Sequence, residues 1–400
     1  MNAKILSVLL FGMMFMAPVA AFAETYTVGG DDGDFQTIQA ALDVAQDGDT
    51  IQVSAGVYRE GLMINQDQLD IIGAGVGETV IEYEDTVINY LFSARSRLEG
   101  FTIRYTGTEE RPAIMVDASS PQLVNNEITG ATLAGVEIQS GASPRLEKNL
   151  IHSNLGSGVL VYLNARVDLV ENIIRENGLG RIHHPGVEIR GAGVGEILQN
   201  SIWFNGGSGI FLHETAFAHI AGNSIVGNNL HGVAVENRAS AELENNSILW
   251  HVEAGVRLKA SREVTITGNV IAHNLLGSVK DDDAALPTQT NNIYLANRRD
   301  TFRVGFSASD ALMTNRVFSS PKSQDILRNF SQLGNLITQL KIEITQPFYQ
   351  SFIETLQNIE LDLAELYDDA SLDAAADARY ITVIRLDENS IAADEARNNL

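Results

Sequence analysis

An asparagine recurs along this chain with a fixed period. Asn126, Asn149, Asn172, Asn200, Asn223, Asn246, Asn269 and Asn292 are separated by 23, 23, 28, 23, 23, 23 and 23 residues. In the seven from Asn126 to Asn269 an isoleucine follows two positions later. A glycine stands nine positions on at Gly135, Gly158, Gly209, Gly232 and Gly255, and at Gly186 once the long interval is corrected. Such a period describes one small unit wound repeatedly about a single axis. Residues one period apart then become neighbours in space.

Between the markers the pattern is that of strands. Val136-Glu137-Ile138, Val159-Leu160-Val161, Val187-Glu188-Ile189, Ile210-Phe211-Leu212, Val233-Ala234-Val235 and Val256-Arg257-Leu258 alternate inward apolar with outward variable residues. A second apolar position follows ten residues later, from Leu146 to Ile266, and Asn-x-Ile supplies a third. Three short strands per turn with Gly and Asn at the corners predict a right-handed parallel β-helix over residues 24–295, an all-β solenoid. Neighbouring coils should lie about 4.8 Å apart. The marker asparagines are expected to take the left-handed corner conformation and to bond amide to amide between coils. A second ladder, Asn154, Asn177, Asn205, Asn228 and Asn274, is interrupted at Ala131 and His251. Both ladders read as scaffold.

Residues 1–23 carry Lys4, an apolar run from Ile5 to Val19 and Ala21-Phe22-Ala23. That is the pattern of a secretory signal, with the mature chain starting near Glu24 and exported to the periplasm or beyond the cell. With no cysteine, the fold depends on its core and not on disulfides. A formal charge of −24 argues against nucleic acid as a partner, because phosphate binding needs a basic face. Polyanions in general are disfavoured as well, unless one groove is locally basic.

The segment Asp34-Phe35-Gln36-Thr37-Ile38-Gln39-Ala40-Ala41-Leu42 reads as an amphipathic helix, placed to cover the open end of the solenoid. With the following Asp47–Val53 and Gly56–Glu60 it resembles the opening of the pectin-lyase-like β-helix superfamily. The resemblance covers roughly residues 24–295 and implies the fold. That superfamily holds pectate lyases, pectin methylesterases, polygalacturonases, alginate lyases and epimerases, and periplasmic proteins tied to copper maturation of nitrous-oxide reductase. The particular signatures of the esterases, polygalacturonases and mannuronan epimerases are missing. Leu230-His231-Gly232 and Arg257-Leu258-Lys259 are only faint echoes of the polygalacturonase set.

Past residue 296 the period is lost. Ile326, Phe330, Leu333, Ile337, Leu340 and Ile344 fall at helical spacing, as do Phe348, Phe352, Leu356, Ile359, Leu363 and Leu366 after Pro347. Two amphipathic helices, then a strand at Tyr380–Leu386, make residues 296–400 a mainly helical cap on the last coil. Residues 341–400 hold 13 acidic against 4 basic residues, and docking of a protein partner through these helices is the second reading.

Register then locates chemistry. Thirteen residues after each marker, allowing for the insertion, come Gln139, Tyr162, Arg190, His213, Glu236, Lys259 and Asp282. Two positions earlier on the same face lie Glu137, Leu160, Glu188, Phe211, Ala234 and Arg257. The five-residue insertion lies between Asn177 and Gly186 and carries Arg181, His183, His184 and Pro185, as a loop on a solenoid's binding side would. Cross-strand charge pairing is the plainer account of such a face.

The residue set suits β-elimination or C5 epimerisation of a uronate, which needs a base, a proton donor and cations for the carboxylate. His213 is the candidate base, Tyr162 the acid, and Arg190 with Lys259 the carboxylate partners. Glu188, Phe211, Glu236, Arg257, His183 and His184 are candidate substrate contacts, with Phe211 placed to stack on a sugar. Glu188 and Glu236 lie two coils apart, roughly 10 Å, which is long for a hydrolase pair. Asp282, within Asp281–Asp283, invites a Ca²⁺ site, although a solvated loop is preferred. His183 and His184 with His213 make a loose metal cluster at best. The column Arg145, Asp168, Glu196, His219 and Glu242 reads as a charge ladder on another sheet. The function expected is an exported polysaccharide-binding β-helix, either a uronate lyase or C5-epimerase. The alternative is a non-catalytic envelope scaffold or maturation factor of the copper-maturation kind.

Overall fold

The computed structural model describes residues 23–400, apart from 93–94, 181–182, 284–285, 298–306, 342–345 and 388–389. The expected signal sequence and Arg181 therefore lie outside the described residues, Ala23 excepted. Strands follow one another in a three-beat order and build three parallel sheets. Sheet A has 12 strands from Thr25–Val28 to Thr288–Thr290. Sheet B has 11, from Gly56–Tyr58 to Ile293–Leu295. Sheet C has 10, from Leu62–Ile64 to Gly277–Asp282. Each strand pairs in parallel with its equivalent one coil away, as Ile128 with Ile151 and Ile225 with Ile248. The inward residues, among them Ile128, Val136, Leu146, Ile225 and Leu243, form one continuous dry core. Among the described residues no helix is long and apolar enough to cross a membrane.

The two ladders sit at two corners, Asn126 to Asn292 between sheets A and B, and Asn154 to Asn274 between sheets B and C. The left-handed conformation belongs to the residue before each marker, not to the marker itself: Lys148, Glu171 and Gln199 have φ of 57°, 56° and 57°. The marker side chains instead point inward and satisfy the backbone that the corner exposes. Asn149 Oδ1 accepts from Asn126 N and Nδ2 at 3.0 and 3.2 Å, while its Nδ2 donates to Leu123 O at 2.8 Å. A buried corner leaves backbone groups that must be paired, which is why the same amide recurs in every coil.

His251 breaks the second ladder in sequence but not in function. Its Nδ1 accepts from Asn228 N at 3.2 Å and its Nε2 donates to Ile225 O at 3.1 Å, the same two roles an amide would fill. Burial pushes its pKa down to about 3, so the neutral ring is the one built in. Between that value and the usual 6.5 or so, the unfolded chain binds a proton that the folded chain refuses. Stability is therefore full above about pH 6.5 and falls as pH drops. His251→Asn should remove this component, shrinking the loss between pH 7 and 4 by on the order of 3 kcal/mol in urea titrations. Parallel pH profiles for the two proteins would refute the assignment.

The N-terminal helix is shorter than the sequence pattern implies. Helix α1 spans Ile38–Leu42, capped by the Thr37 side chain, and buries Ile38, Ala41 and Leu42. Asp34 and Phe35 pair with the first strand instead, through Asp34 Oδ2 to Thr27 N at 2.9 Å and a bridge from Phe35 to Val28.

The helices after the solenoid are α2 (Ala308–Ser319), α3 (Ser323–Leu340), α4 (Gln346–Asp368), α5 (Asp373–Leu386) and α6 (Ile391–Asn399). Helix α2 is the cap proper. Asp310 Oδ1 accepts from Asn292 N and Nδ2 at 2.7 and 3.0 Å, taking the place of the next ladder amide. Tyr380–Leu386, expected as a strand, is helical. Its β-branched run suggests extension, but Ala376, Tyr380 and Val383 are buried at helical spacing beside α4.

Helices α3 to α5 are not confined to the last coil; they run back from it over the outer face of sheet B. Trp203, Val226, Leu249, Ala272 and Leu295 join Phe330, Leu333, Phe352 and Leu356 in a second core. The buried Arg379–Glu360 pair (2.9 Å) also reaches Ser247 Oγ at 2.7 Å and Gly268 O at 3.1 Å, fixing α4 and α5 to this sheet. Gly334 lies so close to Trp250 that a methyl there would clash with the indole.

Candidate functional site on the outer face of sheet C

Pairing along sheet C places the candidate residues where the repeat predicts. Glu137 pairs with Leu160, Leu160 with Glu188, Glu188 with Phe211, Phe211 with Ala234, and Ala234 with Arg257. In the neighbouring column Glu236 pairs with Lys259 and Lys259 with Asp282. The alternation of these short strands turns both columns outward while Val159, Ile189, Leu212 and Val235 fill the core. Within the columns the side chains form three groups, the first two joined by Arg190.

The first is Tyr162 with Glu137. The phenol approaches Glu137 Oε1 at 2.5 Å and Gln139 Oε1 at 2.6 Å, and the Arg190 guanidinium lies 4.9 Å from the ring centre. Burial, then the hydrogen bond and charge of Glu137, raise the Tyr162 pKa, so the phenol keeps its proton. The second group is Glu188 with His213. His213 Nε2 meets Glu188 Oε1 at 3.2 Å, Ser157 Oγ donates to Glu188 Oε2 at 3.0 Å, and Phe211 stacks on the imidazole at 4.5 Å. Burial alone would raise the Glu188 carboxyl. Hydrogen bonds from His213 and Ser157 and the charges of His213 and Arg190 outweigh it and hold the carboxyl below its usual range. An ionised Glu188 fixes the proton on Nε2 and leaves Nδ1 as the acceptor.

The third group is Arg257 with Glu236 at 3.5 Å and Asp282 at 3.4 Å, joined by Lys280 to Asp282 at 3.5 Å. Asp282 thus serves two cations, neither of them Lys259. Among the described residues Asp281, Asp282 and Asp283 do not gather as three ligands of one ion, nor do His183, His184 and His213. His183 is exposed at the insertion, and the His184 carbonyl accepts from Gly207 N at 2.7 Å, so that loop is stitched to the next coil. Lys259 is exposed and lies two coils from His213. Tyr162 and His213 are likewise two coils apart, and the phenol is turned toward Glu137, so the candidate acid and base are not brought together. Glu236 is held by Arg257 and does not face Glu188.

On sheet A, Arg145, Asp168, Glu196, His219 and Glu242 do form a ladder. There His219, Glu242 and Glu244 bring three ligand atoms within 4.8 Å of one another, with His219 Nδ1 already on Glu196 at 3.0 Å.

The face extends further than the repeat indicated. Met63, Asn89, Met115 and Glu137 pair in succession, and a cleft of about 540 Å³ opens above them between Tyr83 and the Arg111–Asp85 ion pair. Spacings of 26, 26 and 22 residues separate these four, so a 23-residue ruler does not find them. Only Glu137 could have been found by its place in the column.

A family model for the right handed beta helix region matches residues 79–189 and 174–331, more than half of the chain. The chain belongs to this family. The fold is thus the one that its opening segment implies. Among curated proteins none matches the sequence. Similar solved structures include XylC in complex with xylose, 13% identical over 74% of this chain and 80% of that one, with a TM-score of 0.55. The Dettilon tailspike protein is 14% identical over 66% of this chain and 60% of its own, TM-score 0.55. The catalytic unit of the α-1,3-glucanase from Streptomyces thermodiastaticus is 14% identical over 69% and 64%, TM-score 0.52. At these identities the β-helix family member shares their fold. It spans less than two thirds of the tailspike and glucanase chains.

Proposed function

We propose that the outer face of sheet C binds a uronate-bearing polysaccharide along the helix axis, and that His213 is the base of a β-elimination or C5 epimerisation there. The observation that carries this is the Glu188–His213 pair beside Arg190. A half-buried carboxylate bonds one nitrogen of the imidazole and leaves the other for substrate, next to an Arg190 side chain that is 41% exposed. His213 Nδ1 takes the C5 proton while Arg190 neutralises the uronate carboxylate, which lowers the cost of the developing carbanion. Phe211 packs the ring, and Tyr162 with Glu137 binds the adjoining sugar toward the N-terminal cleft. Lys259 and Arg257 meet carboxylates further along. On this face Arg190, Arg257, Lys259 and Lys280 stand against Asp117, Glu137, Glu188, Glu236 and Asp282, so it is less acidic than the chain as a whole without being basic, and recognition of a uronate rests on Arg190. Residues 1–23 act as an export signal in this reading, placing the protein in the periplasm or outside the cell.

The test is a screen of purified protein on alginate, pectate and glycosaminoglycans. New ultraviolet absorbance from unsaturated sugar ends is the expected sign of elimination, and NMR follows inversion at C5. Silence in both assays across all three polymers would sink the enzymatic reading and leave the envelope scaffold.

A further inference from the structure

A second site lies on the outer face of sheet A, around His219 on the strand Phe217–Ala221. Register puts Glu196 beside His219 on the coil before and Glu242 beside it on the coil after, with Glu244 two residues further along the same face. Strands about 4.8 Å apart hold these side chains within reach of one another. Glu196 is held from both sides: Arg166 Nη2 donates to its Oε1 at 3.3 Å, and His219 Nδ1 meets its Oε2 at 3.0 Å. A carboxylate can only accept, so the proton of the neutral imidazole sits on Nδ1 and Nε2 keeps its lone pair. That Nε2 lies 3.8 Å from Glu244 Oε2.

Earlier along this face the carboxylates meet arginines. Glu147 meets Arg145 at 2.9 Å, and Asp168 and Glu196 share Arg166 at 3.6 and 3.3 Å. Among the described residues neither Glu242 nor Glu244 forms an ion pair with lysine or arginine, and His219 is what Glu244 meets. One ligand atom from each of His219, Glu242 and Glu244 lies within 4.8 Å of the others. We infer that these three residues bind a divalent metal ion of the zinc class, with Glu196 behind His219 as the residue that positions the ring. An imidazole with two carboxylates suits zinc, whereas calcium and magnesium take oxygen ligands. Tetrahedral zinc ligands stand about 3.3 Å apart, so small rotations of two glutamates at the surface close the gap. The two carboxylates balance the charge of the ion, and a carboxylate behind a ligating imidazole fixes its tautomer and orientation. Three protein ligands leave a fourth position to water. The site shares no residue with the sheet C face, so its test is independent of the uronate reading.

The probe is Zn²⁺, titrated calorimetrically into the purified protein after chelator treatment, with millimolar Ca²⁺ present to occupy scattered surface carboxylates. One equivalent should bind with micromolar affinity or tighter. His219→Ala and Glu244→Gln should each abolish that binding or weaken it by at least about tenfold. Glu196→Gln keeps the size of the side chain but no longer fixes the tautomer, and should cost about tenfold. His152→Ala, which removes a glutamate-paired histidine from sheet B, should leave the affinity unchanged. Without zinc all four variants should melt as the wild type does, and zinc should raise the melting temperature of the wild type but not of His219→Ala. No saturable zinc binding in the presence of Ca²⁺, ligand variants within about threefold of wild-type affinity, or an equal loss in His152→Ala would overturn the assignment.

Discussion

Replacing His213 by alanine is expected to lower turnover on a uronate polymer by about 10²–10⁴-fold, the usual worth of a positioned base, with little change in melting temperature. The imidazole lies on the outer side of sheet C, bonded to Glu188 and stacked on Phe211, and is not part of the solenoid core. Glu188 keeps Ser157 when the imidazole is gone, so its carboxylate is not left bare. Glu188→Gln separates orientation from scaffold. It keeps the size and the Ser157 contact but no longer fixes the proton on Nε2. The expected result is a lower kcat with a nearly constant KM and a shifted pH–rate profile. If His213→Ala instead lowers the melting temperature by more than about 5 °C, the column is a structural ladder. Turnover within about threefold of wild type would remove His213 from the chemistry.

The second large effect is on stability. Asn223→Ala should cost about 3–5 kcal/mol, because one amide serves five hydrogen bonds in a dry corner. Its Oδ1 accepts from Asn200 N at 2.8 Å and Asn200 Nδ2 at 3.1 Å. Its Nδ2 donates to Ile197 O, Ala221 O and Asn246 Oδ1 at 2.7, 3.1 and 2.9 Å. Alanine strands the Asn200 N–H and the Ile197 carbonyl with no water within reach. Urea unfolding and amide exchange report the loss, which should centre on the coils touching position 223, since each coil leans on its neighbours. A cost below about 1 kcal/mol would mean that the ladder is redundant.

Several features that the structure brought out were already written in the chain. Three residues after each marker, Thr129, His152 and Arg175 give way to Trp203, Val226, Leu249, Ala272 and Leu295. That change from polar to apolar on the outer face of sheet B marks where α3 to α5 lie, and it is as legible as the asparagines. In Tyr380–Leu386 the β-branched residues carry a local extended preference that packing against α4 overrides. Asn125, Gly222, Asn245, Gly268 and Asn291, which favour the left-handed conformation, precede five of the markers, while Lys148, Glu171 and Gln199 adopt it without that preference. Coil geometry imposes it on whichever residue precedes the ladder.

The sequence by itself determined the solenoid, its three faces and the order of side chains along each. A fixed period with strict alternation leaves only one register in which the apolar set stays inside. It could not determine which way those side chains turn. Tyr162 bends back to Glu137, His213 pairs with Glu188, and Lys259 stands apart, because rotamers answer to neighbours in three dimensions and not to spacing. The landing of the helices on sheet B is likewise a product of contacts between segments more than a hundred residues apart. Register is a local property repeated; a site is a non-local one.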